Sequence, residues 1–114
     1  MTDTLEQLLD DLRLNKILFS DFMSIFEQNY EHTPTAFSNG TIVNQATENQ
    51  GSAKVFSFGQ LNNLTKEDTL CLFGEHYDAV LNNPLGDDHQ NIRQFMENGW
   101  QGISFHGQAL RKKD

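Results

Sequence analysis

Residues 87–100 read DDHQNIRQFMENGW, and they combine a clear helix pattern with several side chains that can do chemistry. The apolar residues that recur on one helical face are Ile92, Phe95 and Met96. Asp87 or Asp88 stands where such a helix would begin. Gly99 is placed to end the helix in a left-handed conformation. The segment therefore predicts a helix. Its polar residues either form part of a functional site or only cap the helix and face solvent.

Four other segments show helical patterns upstream of this one. Apolar residues follow helical spacing over about residues 4–13 and again after Ser20, which we expect to be an N-cap. A further helix is predicted to follow Thr65 and to extend to about Leu81. Residues 53–62 fit a helix or a strand, and we favour a helix that is buried on more than one side. The chain thus predicts about five helices.

The β-structure is predicted from a short turn signal. Asn39-Gly40 lies between two runs of β-forming residues, which indicates a hairpin over about residues 35–45. A C-terminal strand is predicted near 102–106. The expected fold is α+β, with about five helices packed on a small antiparallel sheet. At 114 residues, the chain is expected to form a single domain, residues 1–114.

Composition excludes several classes of partner. The formal net charge is −8, and the only run of basic residues is 111–113. Binding to nucleic acid or to an anionic membrane requires clustered basic residues, so neither partner is predicted. No apolar run approaches the ~20 residues that a membrane-spanning helix needs. The sequence does not indicate the oligomeric state.

Cysteine content and the N-terminus bear on the compartment. Cys71 is the only cysteine, so no disulfide can form within the chain, and we expect this residue to pack as a small apolar side chain. The N-terminal MTDTLEQLLDDL lacks the pattern of a secretory signal peptide. The cytoplasm is the predicted location. Export by a type III secretion system would leave no such mark, and the sequence does not support it.

The predicted helix after Asp88 carries the first candidate site. His89 and Arg93 are four residues apart and share the edge of the apolar face. A helix N-terminus stabilises anions, and arginine binds carboxylates or phosphates through two hydrogen bonds. The functional interpretation is an anion or acid–base site of Asp88, His89 and Arg93, with Asn91 as a further ligand-binding residue. The alternative is a capped helix with an arginine that pairs locally.

The middle of the chain adds amide and hydroxyl groups that precede a helix. The candidate ligand-binding residues there are Asn44, Asn49, Ser52 and Lys54. Backbone N–H groups at the start of a helix are open to a small anion, and the lysine adds charge. The alternative is an ordinary loop-to-helix connection. Trp100 could be a binding platform, although a core anchor is the more common role for such a tryptophan.

The histidines do not show the spacing of a metal site. They are His32, His76, His89 and His106. None forms a close metal-binding pair of the His-Glu-x-x-His type. The sequence therefore predicts no metal and no cofactor.

Four segments together resemble the HopJ family, which is named for a type III effector of plant-pathogenic bacteria. They read TPTAFSNG, NQGSAKVFSFGQL, TLCLFGEHYDAVL and DHQNIRQFMENGWQGISFHG. The resemblance extends from about Thr4 to Leu110. It implies a bacterial protein with a single HopJ-like domain, and it supplies no catalytic residues. Ala53 stands where the family often has a cysteine.

Three hypotheses of function follow. The first is a small cytosolic protein that binds a small anionic ligand in a cleft near residues 44–54 and 87–93. The second is a small enzyme in which His89 is the general acid–base and Asp88 orients it. The third is a protein-interaction module or effector delivered to a host cell.

Overall fold

The computed structural model describes residues 2–113, which form six α-helices, a short 3-10 helix and two small antiparallel sheets. The helices are α1 (Thr2–Arg13), α2 (Phe19–Asn29), α3 (Gln50–Leu61), α4 (Lys66–Cys71), α5 (Glu75–Leu81) and α6 (Gln90–Asn98), and the 3-10 helix is Gly99–Gly102. The strands are β1 (Tyr30–His32), β2 (Phe37–Asn39), β3 (Ile42–Asn44), β4 (Ile103–Phe105) and β5 (Leu110–Lys112). The predicted α+β class is confirmed. Within residues 2–113, none of the helices has the length and apolar character needed to cross a membrane.

The hairpin predicted near 35–45 is present as β2 and β3, but its turn is shifted by one residue. Asn39 pairs with Ile42, so the two turn residues are Gly40 and Thr41. Gly40 supplies the positive φ of 60° that such a turn requires. Asn39 was expected in the turn, but it is a strand residue with 0% exposure.

The C-terminal strand predicted near 102–106 is confirmed as β4. It pairs with β2, which gives a three-stranded sheet in the order β3-β2-β4. The following strand, β5, pairs with β1 in a separate sheet. A single sheet was expected, and two form because β5 pairs with β1 and not with a strand of the hairpin sheet.

Helix α3 is the centre of the core, and its favoured assignment as a helix is confirmed. Its buried residues lie on several sides and are Ala53, Val55, Phe56, Ser57, Phe58 and Gly59. The ring of Phe56 lies 4.8 Å from that of Phe95 and 5.6 Å from that of Phe73, measured between centroids. A side chain at Gly59 would lie 2.8 Å from Thr69 and 3.0 Å from the Trp100 ring, so glycine is required for this close packing.

The helix predicted from Thr65 to Leu81 is broken into α4 and α5. Thr65 caps α4 as expected and accepts a hydrogen bond of 3.1 Å from the Asp68 N–H group. The break occurs at Gly74, which has a φ of 58°. A Cβ atom there would lie 3.2 Å from the backbone nitrogen of Phe19, so the start of α2 packs into the break.

The expected cap of α2 was also wrong. The helix begins at Phe19, so Ser20 is already inside it. The N-cap residue is Leu18, whose backbone N–H donates a hydrogen bond of 2.8 Å to the Asp21 carboxylate. Asp21 has the capping role because it lies three residues after Leu18, where its carboxylate reaches the Leu18 N–H group.

A network of asparagine side chains joins the hairpin to the starts of α3 and α6. The Asn44 and Asn91 amides bond to each other in both directions, with N–O distances of 3.2 and 3.1 Å. Asn39 donates to the side-chain and backbone oxygens of Asn91 at 3.0 and 2.8 Å. Asn49 donates to the Asn44 oxygen at 2.7 Å. The two helix starts are therefore held against the hairpin by directional bonds, which are buried at Asn39, Asn44 and Asn91 and partly exposed at Asn49.

Replacement of Asn44 should destabilise the fold strongly. Asn44→Ala removes the acceptor shared by Asn49 and Asn91, and buried donors without partners are costly. We expect a loss of about 2–3 kcal/mol in the free energy of unfolding, measured by urea denaturation. The adjacent Val43→Thr changes an exposed position of the same strand and should cost less than about 0.5 kcal/mol. Equal stabilities of the two variants would contradict the importance of the network.

Candidate functional site

A cavity of about 400 Å³ lies where the first turns of α3 and α6 meet. Residues of α2, β3 and α5 complete its walls. The lining residues share a mixed polar and apolar character and are Phe19, Ile42, Asn49, Gly51, Ser52, Phe73, His76, His89, Gln90, Asn91 and Ile92. The volume is within the range of small-molecule sites in proteins.

Helices α3 and α6 begin in the same unusual way. Their N-cap residues, Asn49 and His89, both have a φ of 51°, in the left-handed region, and neither side chain caps its helix. In both cases the next residue is already helical. A left-handed residue followed by a right-handed one turns successive N–H groups to one side and forms a concave site for anions. The first turns of both helices are thus suited to negative charge.

The acidic residues directly before the two N-cap residues are Glu48 and Asp88, and both carboxylates have hydrogen-bond partners. The Glu48 carboxylate accepts a hydrogen bond of 3.0 Å from the Gln45 N–H group. The Asp88 carboxylate accepts one of 2.6 Å from Arg93. Neither helix has an acidic residue in its first turn. The dipoles of α3 and α6 are therefore not neutralised by these neighbouring carboxylates.

A glutamine after each left-handed residue stabilises the turn. Gln50 donates through its side chain to the Glu48 carbonyl at 2.8 Å. Gln90 donates in the same way to the Asp87 carbonyl at 2.7 Å. These bonds offset part of the backbone strain, which is of order 1–3 kcal/mol for a left-handed residue other than glycine.

Two imidazole rings lie side by side in the cavity. The rings of His76 and His89 have centroids 5.3 Å apart. His76 is positioned by Phe19, whose ring it meets edge-on at 5.1 Å. Sequence analysis did not select His76, because nothing in its spacing connects it with His89. Within residues 2–113, no three metal-binding side chains form a cluster.

Four of the residues selected from the sequence line this cavity together. They are Asn49, Ser52, His89 and Asn91. Asn44 lies behind them, buried in the asparagine network. Lys54 does not line the cavity and pairs with Glu27 at 3.4 Å. Trp100 packs against Phe95 in the core and donates its indole N–H to the Leu64 carbonyl.

Asp88 and Arg93 form a separate unit outside the cavity. Arg93 binds the carboxylate of Asp88 and also donates to its carbonyl at 2.5 Å and to the Pro84 carbonyl at 3.2 Å. The hydrogen bond from Arg93 lowers the pKa of Asp88. Asp88 was expected to cap α6, but the N-cap position belongs to His89. Arg93 thereby holds the loop that contains Pro84 and Asp88 against α6.

A further histidine, His32, contacts the first residue of α3. The Gln50 side-chain oxygen accepts a hydrogen bond from the Thr35 N–H group at 3.1 Å and lies 3.0 Å from the His32 Nε2 atom. Nε2 therefore carries the proton of the neutral ring. Burial lowers the pKa of His32, the charge of Lys54 acts in the same direction, and the bond with Gln50 opposes both.

Comparison with known proteins identifies the family. The sequence model described as HopJ type III effector protein matches residues 4–110. This match covers nearly the whole chain, which therefore belongs to the HopJ type III effector family. The protein in the crystal structure of unknown function protein VPA0580 shares 50% sequence identity with this chain, and the two structures superpose with a TM-score of 0.87. The alignment covers 95% of this chain and 92% of that one. No curated protein matches the sequence.

His32 should make the stability of the fold depend on pH. Because its pKa is lowered in the folded state, the unfolded chain binds the proton more readily, and stability should fall as the pH drops through about 6.5. His32→Gln keeps a donor for Gln50 without a titrating ring and should make this fall shallower in urea unfolding between about pH 7.5 and 5. The exposed His106→Gln is the control and should leave the slope unchanged. Identical slopes for the two variants would contradict this role of His32.

Proposed function

We propose that this protein binds a small anionic ligand in the cavity between the starts of α3 and α6. The observation that carries this proposal is the convergence of two uncapped helix starts and two histidines on one cavity. Helix starts attract negative charge through their N–H groups, and a protonated imidazole adds a positive charge and a donor. The chain is acidic overall, but neither α3 nor α6 carries an acidic residue in its first turn.

Binding is better supported than catalysis. The enzyme hypothesis required Asp88 to orient His89 as a general acid–base, but the Asp88 carboxylate binds Arg93. The ring beside His89 is that of His76, and an imidazole cannot replace a carboxylate in orienting and stabilising an imidazolium. The arrangement can hold an anion without any further group.

The family description also names an effector. Delivery into a host cell is therefore part of the proposal at the level of the family, and it leaves the ligand open. Anion binding and delivery are compatible, since the first concerns the cavity and the second concerns the compartment in which the protein acts.

The two histidines provide the direct test of anion binding. Titration of labelled protein with inorganic phosphate, citrate or acetate should shift the amide signals of residues 50–52 and 90–92 in NMR spectra. The double variant His76→Gln/His89→Asn should weaken binding about tenfold or more, because charge-assisted hydrogen bonds are lost.

Two controls separate this effect from a change of fold. Asparagine tolerates the left-handed conformation at position 89, so the helix start should be preserved. His106→Gln removes an exposed imidazole outside the cavity and should bind normally. If no anion moves the signals of residues 50–52 or 90–92, the proposed function is wrong.

Replacement of Gly51 by alanine should stabilise the fold and weaken anion binding. Its φ is not in the left-handed region, and an added Cβ atom would meet nothing closer than the Phe19 ring at 4.0 Å, so the backbone does not require glycine. Gly51→Ala should stabilise the protein by about 0.5 kcal/mol, because alanine favours the helix. The methyl group should weaken anion binding several-fold by covering the first turn of α3. Urea unfolding and the same titration measure the two effects. Full affinity in this variant would contradict a ligand placed against α3.

A further inference from the structure

We infer that the ligand is a small organic anion that carries an apolar group about the size of an aromatic ring. This inference rests on the proposed function, because it assumes that the negative group binds at the two helix starts. It adds a second requirement, which is that part of the ligand must be apolar.

One wall of the cavity is apolar. Its members come from α2, β3, α6 and the turn between α4 and α5, and they are Phe19, Ile42, Ile92 and Phe73. The rings of Phe19 and Phe73 are nearly parallel, with an angle of 4° and centroids 6.2 Å apart. The two stacked rings restrict each other's rotation, so they form a preformed apolar surface beside the polar side chains of the cavity.

Two members of this wall remain partly exposed in the folded chain. Phe19 and Ile42 are half-buried, whereas Phe22, Phe37 and Phe56 in the core are fully buried. Contact with an apolar ligand group would remove this surface from water, which is favourable in proportion to the area covered. A purely polar ligand would gain nothing from this wall.

The size of the cavity also favours a composite ligand. A volume of about 400 Å³ is suited to a small organic molecule. A bare phosphate or acetate ion would leave most of this volume unfilled. A ligand with both an anionic and an apolar part can fill the space.

The two walls are adjacent, which limits the length of the ligand. The His76 ring lies 5.1 Å from the Phe19 ring, measured between centroids. The anionic group and the apolar group must therefore be separated by only a few bonds. Short aromatic carboxylates and aryl phosphates meet this requirement.

Matched pairs of probes test this inference on the natural protein. Each pair shares its anionic group and differs in the ring: phenylacetate with acetate, and phenyl phosphate with inorganic phosphate. Benzyl alcohol supplies the ring without the charge. Dissociation constants from NMR titration should be about ten- to hundredfold lower for the aromatic member of each pair, which is the gain expected from burying a ring. Benzyl alcohol should bind more weakly than phenylacetate.

Two substitutions in β3 test whether the affinity gained from the aromatic ring comes from contact with the apolar wall. Ile42→Thr makes the wall polar and should reduce the advantage of phenylacetate over acetate. Val43→Thr, at the exposed neighbour outside the cavity, should leave this advantage intact. Unfolding measurements on both variants check that they are folded. The comparison of probe pairs does not depend on either variant.

The possible outcomes separate the inference from the proposed function. If acetate and phosphate bind as tightly as their aromatic partners, the inference is wrong and the anion site remains. If benzyl alcohol binds as tightly as phenylacetate, the anionic group contributes nothing, and both fail. If no probe perturbs the cavity residues, the proposed function fails and the inference fails with it. A ring-dependent gain that Ile42→Thr reduces and Val43→Thr preserves would support the inference.

Discussion

The asparagine network is the constraint on which the rest of this structure depends. Asn39 and Asn44 belong to the hairpin, whereas Asn49 and Asn91 belong to the starts of α3 and α6. Apolar packing alone permits sliding and rotation, because it has no preferred direction. Amide hydrogen bonds have a direction, and breaking one inside the protein leaves a buried group without a partner. The separation of the two helix starts is therefore set by side-chain amides.

This constraint explains how two helices can begin without side-chain caps. A serine or aspartate at the cap position would satisfy the first N–H groups of each helix. Here Asn49 and His89 adopt left-handed conformations, which are strained, and the neighbouring glutamines and the network hold them in place. Strained backbone of this kind clusters at functional sites in proteins.

The features that the sequence predicted well depend on short stretches of chain. The hairpin followed from Asn39-Gly40, and the cap at Thr65 followed from local hydrogen-bonding chemistry. The predictions that failed depended on packing. The break at Gly74 arises because the start of α2 requires close approach there, and a helical pattern of apolar residues on both sides of the break conceals it.

The sequence by itself determined the α+β class, the positions of most helices, the acidic character and the resemblance to a family, because these follow from local patterns and composition. It also selected Asn49, Ser52, His89 and Asn91, since residues at helix starts carry open N–H groups. Only the tertiary structure decided that His76 lies beside His89 and that Lys54 pairs with Glu27 outside the cavity. Those outcomes depend on how segments distant in the chain pack together, and side-chain spacing along the sequence contains no record of that packing.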